Sequence, residues 1–71
     1  MKLQMKYTYR ETMMDHTCTE CGEEIKGEGV HVMAHAGAWA EHTAMCIHHM
    51  SDDYQARVKT KPVHLSVDLP V

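Results

Sequence analysis

The chain has 71 residues, no phenylalanine and a single tryptophan, so its apolar core is small. At this length burial alone is marginal without a disulfide, a metal or a partner chain. A formal net charge of −3 argues against a nucleic-acid binder built on a broad basic stripe, and no stretch is long and apolar enough to span a bilayer.

Residues 1–10 alternate. Leu3, Met5, Tyr7 and Tyr9 fall on one face and Lys2, Gln4, Lys6, Thr8 and Arg10 on the other, which predicts a half-buried strand. Residues 11–17 have no period and read as a connection. Cys18 to Gly22 reads as a tight turn, after which Gly27 and Gly29 release the chain into a hairpin. Val30, Val32 and Ala34 alternate with His31, Met33 and His35 on its first strand; Ala36-Gly37 makes the turn and residues 38–41 return. From Thr43, a candidate N-cap, the residues Ala44, Met45, Ile47, Met50, Tyr54 and Val58 have roughly helical spacing. Ser51-Asp52-Asp53 either interrupts that helix or caps a second, shorter one. Val63, Leu65, Val67, Leu69 and Val71 again share one face, and the flanking Pro62 and Pro70 predict an edge strand. The expected fold is one small α+β domain over 1–71, with its metal-bearing core at 17–58 and flanking strands at 1–10 and 62–71. Seven methionines suit an adaptable core.

Three cysteines cannot all pair within one chain, and MKLQMKYTYR lacks the apolar run of a secretory signal. The expected setting is therefore a reducing cytoplasm, where thiols stay free or bind metal. Cys18 and Cys21 offer two soft thiolates from one turn, and Gly22 supplies the positive φ that such a turn needs. Zn2+ asks for four ligands in a tetrahedron. Cys46 is the third. The fourth is His42, four residues before Cys46, or alternatively His49, three residues after it. His42 is favoured because Trp39 and the strand end place it beside the turn; His48 points to another side. A thioredoxin-like dithiol would need a larger βαβ scaffold. Iron would also suit such a sulfur-rich site.

CTECGEEI, followed by glycines and then HTAMCIHH, resembles a treble-clef zinc finger of the LIM-like kind. The resemblance spans roughly residues 17–58. It implies a zinc knuckle, a hairpin and a helix whose first turn carries the last ligands of a structural zinc. His42 to Cys46 is one residue longer than the usual His-x-x-Cys of that class, and Cys46 to His49 reverses the ligand order.

The favoured function is a zinc-binding interaction or regulatory module that takes a protein partner, such as a small bacterial or bacteriophage regulator of a host protein. The edge strand VHLSVDLPV would join a partner's sheet or a second copy in a homodimer. A nucleic-acid-binding finger comes second. A metal-dependent nuclease of the ββα-metal type comes third, using His31 or His35 with His48 or His49. Four protein ligands leave no open position for catalytic water, which argues against an enzyme. His31 and His35 otherwise read as a solvated strand face.

Overall fold

The computed structural model describes residues 1–13 and 16–70. Val71, expected in the last strand, lies outside them, as does part of the connection at 11–17. Four strands form one antiparallel sheet: β1 Lys2–Arg10, β2 Gly29–Ala36, β3 Trp39–Met45 and β4 Val63–Asp68. Their spatial order is β3-β2-β1-β4. A 3-10 turn, Ile47–His49, and one helix, α1 Asp52–Thr60, connect β3 to β4. The chain is thus a small α+β fold. The two flanking strands pair with each other, from Lys2 opposite Asp68 to Tyr7 opposite Val63, and β4 is an edge strand as Pro62 and Pro70 suggested.

Period-two patterning fixes which face is covered. Met5, Tyr7 and Tyr9 on β1 join Val30 and Val32 on β2, Met45 on β3 and Val63 on β4 around Ile47 and Val58. This is the main core, roofed by α1. Gly37 opens the two-residue hairpin turn with φ 58°, and Ala36 pairs with Trp39 across it, so the turn falls one residue later than expected.

The expected helix from Thr43 does not form. Thr43 instead pairs with Val32 and Met45 with Val30, so β3 continues to Met45. Cross-strand packing on Val30 and Val32 outweighs the helical spacing. The helix begins only at Asp52. There Ser51 caps it, its Oγ accepting the Tyr54 N–H at 3.3 Å, and Asp52 and Asp53 face the positive end of the helix dipole. Ser51→Ala should cost about 1 kcal/mol. That corresponds to a drop in Tm of about 4–8 °C, to be read from a thermal melt followed by circular dichroism.

Candidate metal centre

Residues 16–25 fold into a knuckle at one end of the sheet. The Cys18 N–H donates to Glu23 O at 2.8 Å, the Gly22 N–H to Cys18 O at 2.8 Å, and the Ile25 N–H to His16 O at 2.9 Å. Gly22 has φ 76°, the left-handed conformation expected of it. Met13, Cys18, Ile25 and Ala44 make a second, smaller core beneath this knuckle. Close packing needs the bare backbone of Gly29, where a Cβ would lie 3.0 Å from Met13 Cγ and 3.1 Å from Ile25 Cγ2. The knuckle is pinned to β3 by Thr19, whose N–H and Oγ1 both donate to Ala44 O, at 3.0 and 3.2 Å.

That anchoring brings Cys18 and Cys21 against the chain just beyond β3. Cys46 is extended, and its N–H points at Cys18 Sγ at 3.4 Å. The 3-10 turn follows at once, with the His49 N–H donating to Cys46 O at 3.1 Å. The tight turn between them brings the Cys46 and His49 donor atoms close together. One donor atom from each of Cys18, Cys21, Cys46 and His49 lies within 4.8 Å of the other three. A zinc tetrahedron with bonds of about 2.3 Å has edges of about 3.8 Å, so small side-chain adjustments close the set on one ion. Among the described residues this is the only such group of three or more metal-binding side chains.

The donors gathered with Cys18, Cys21 and Cys46 therefore include His49, and not the favoured His42. The reason is the length of β3. In an extended strand His42 sits about 13 Å along the chain from Cys46, whereas a helix would have brought the two within about 6 Å. His42 turns instead to the sheet face opposite α1, where its Nδ1 lies 3.4 Å from His31 Nε2. His48 packs its ring on His49, with centroids 4.2 Å apart. The structure thus pairs His31 with His42 and His48 with His49, not the combinations a hydrolase reading required. The signal for His49 was present in the sequence: Cys-x-x-His has the period of a 3-10 turn, and Ser51-Asp52-Asp53 marks a helix that starts too late to hold Cys46.

Cys18 and Cys46 are electrostatically unequal. Burial opposes ionisation of Cys18, which is 0% exposed, but the backbone N–H groups of Cys46, Cys21 and Glu20, with the Cys21 thiol, outweigh it and bring the pKa down to about 6. Burial and then the neighbouring Cys18 push Cys46 up to about 11. Ionisation in the metal-free site is therefore favoured at Cys18 over Cys46. Metal uptake should release protons, fewer of them the larger the share of thiolate already present at Cys18. Calorimetric titration with zinc in buffers of different ionisation enthalpy measures that number.

No family model matches the sequence, and no curated protein or solved structure matches it significantly. The donor set thus rests on the geometry and chemistry of its own residues.

Proposed function

We propose that the chain is a zinc-stabilised, non-catalytic interaction module, similar in plan to treble-clef fingers although its last two donors precede the helix. The observation that carries this reading is the convergence of Cys18, Cys21, Cys46 and His49 within 4.8 Å. Three thiolates and one imidazole favour zinc, and four protein donors close the tetrahedron, leaving no position for a reacting water. The metal would supply what a core of this size lacks, tying the knuckle to the end of β3 and to the 3-10 turn.

A structural metal leaves the working surface elsewhere. The β4 edge supports a protein partner: among the described residues it is unpaired on its outer side, and Val67 there is 47% exposed. Addition of a partner strand would satisfy that edge, and a homodimer is the case in which the partner is a second copy. Native mass spectrometry tests both parts together. One zinc per chain is expected, with the subunit count reporting on the edge. Iron in its place would keep the structural reading and change the metal. A metal-free chain whose melt is unchanged by exhaustive chelation would end it.

A further inference from the structure

The sheet face opposite α1 carries an unusual set of side chains. Alternation places Lys2, Gln4, Lys6, Thr8 and Arg10 of β1 there, with His31, Met33 and His35 of β2, Ala40 and His42 of β3, and His64, Ser66 and Asp68 of β4. Three fixed cations and four imidazoles share this face with one carboxylate, Asp68, at its far corner beside Lys2. Several of the other acidic side chains lie on the α1 side, whereas Glu23 and Glu24 belong to the knuckle, where Glu24 bridges to Thr17. Glu28 accepts from Tyr9 and pairs with Lys59, Glu20 lies near Tyr7 and Tyr54, and Asp52 and Asp53 start α1. The net charge of −3 therefore conceals a local excess of positive charge on the open sheet face.

Two shallow clefts cut this face. One, of about 230 Å³, lies where the knuckle meets the sheet and is lined by His16, His31 and His42 with the threonines Thr17, Thr19 and Thr43. The other, of about 200 Å³, is lined by Lys6, Met33, His35 and His64 together with Gln4 and Ser66. Both are rich in hydrogen-bond donors, and neither is lined by a carboxylate. A cation would meet Arg10 near His31 and no negative side chain to offset it, so the chemistry of these clefts is that of an anion site.

We propose that the open sheet face binds single-stranded nucleic acid, with phosphates along the Lys2–Lys6–Arg10 row and bases against the imidazoles of β2, β3 and β4. Lys2, Lys6 and Arg10 are four residues apart on one strand, hence about 13 Å apart, a line of charge suited to an extended polyanion. His31, His35, His42 and His64 are planar groups on a flat surface, on which unstacked bases can lie. A duplex fits less well, because no helix among the described residues projects from this face to enter a groove and the knuckle closes one end of it. The surface is distinct from the β4 edge and rests on the metal-centre reading only through the fold.

The test uses the zinc-loaded full chain and a fluorescent single-stranded 12-mer of mixed sequence, followed by anisotropy at neutral pH. Three phosphate contacts predict a fall in affinity of about twentyfold between 50 and 200 mM salt. The double substitution Lys6→Glu with Arg10→Glu should weaken binding at least tenfold, whereas Arg57→Glu, at an α1 residue that pairs with Asp53 and lies over Tyr54, should leave it within twofold. His35→Ala with His64→Ala should weaken binding without changing the salt dependence. Zinc content and circular dichroism on the same samples separate loss of the fold from loss of the face. No binding at 50 mM salt by a folded, zinc-loaded chain overturns the proposal. So does binding abolished by Arg57→Glu but not by the β1 pair, or equal affinity for polyglutamate or for duplex of the same length.

Discussion

Cys18→Ser should leave the chain unfolded, or metal-free and without a cooperative melt. Cys18 is 0% exposed and joins three parts of the fold. Its backbone bonds to Glu23 and Gly22 within the knuckle, its Sγ receives the Cys46 N–H, and it packs with Met13, Ile25 and Ala44 in the smaller core. A serine retains the volume approximately but loses a thiolate ligand. Structural zinc sites contribute on the order of 10 kcal/mol at neutral pH, while domains are stable by only about 5–15 kcal/mol in total. The loss is therefore comparable to everything that holds the chain together. Far-UV circular dichroism with a thermal melt, alongside zinc stoichiometry, measures it. A cooperative melt within a few degrees of the unmodified chain would mean that the knuckle folds without its metal.

His49→Ala and His42→Ala should separate sharply. His49 lies with the three cysteines, and removing it should lower zinc affinity by more than about a hundredfold, beyond the 10–100-fold typical of losing only an outer-shell partner. His42 lies against His31 on the open sheet face, and its removal should leave zinc affinity nearly unchanged. Competition with a chromophoric chelator reads both. The opposite ranking would mean that β3 ends before His42 in solution and that the chain there takes the helical form its spacing suggested.

That contrast shows what the sequence could and could not convey. Strands β1 and β4 were legible because alternation is a local property: Leu3, Met5 and Tyr7 announce their face without knowledge of any partner. The three cysteines were legible because thiols are rare and their spacing is chemical. The fourth donor was not, because His42 and His49 both share a helical face with Cys46 if the segment is a helix. Only the pairing of Thr43 with Val32 and of Met45 with Val30 removes His42, and that pairing is set by residues more than ten positions away. The capping signal at Ser51 was visible but was weighed against an apolar spacing that belonged partly to a strand. Charge was misleading for a related reason: a net value sums over the whole molecule, and here one sheet face carries three fixed cations against one carboxylate.

The strand order has a consequence for how the molecule comes into being. β1 is synthesised before the other three, yet it lies inside the sheet, between β2 and β4. Its first partner begins at Gly29 and its second at Val63, so on the ribosome it must wait, with Met5, Tyr7 and Tyr9 uncovered, for nearly the whole chain. Pairings this distant in sequence slow folding and prolong exposure of sticky surface. A metal ion captured by Cys18 and Cys21 in the nascent knuckle would not shorten that wait, but would give an early anchor on which β3 and then the sheet could assemble.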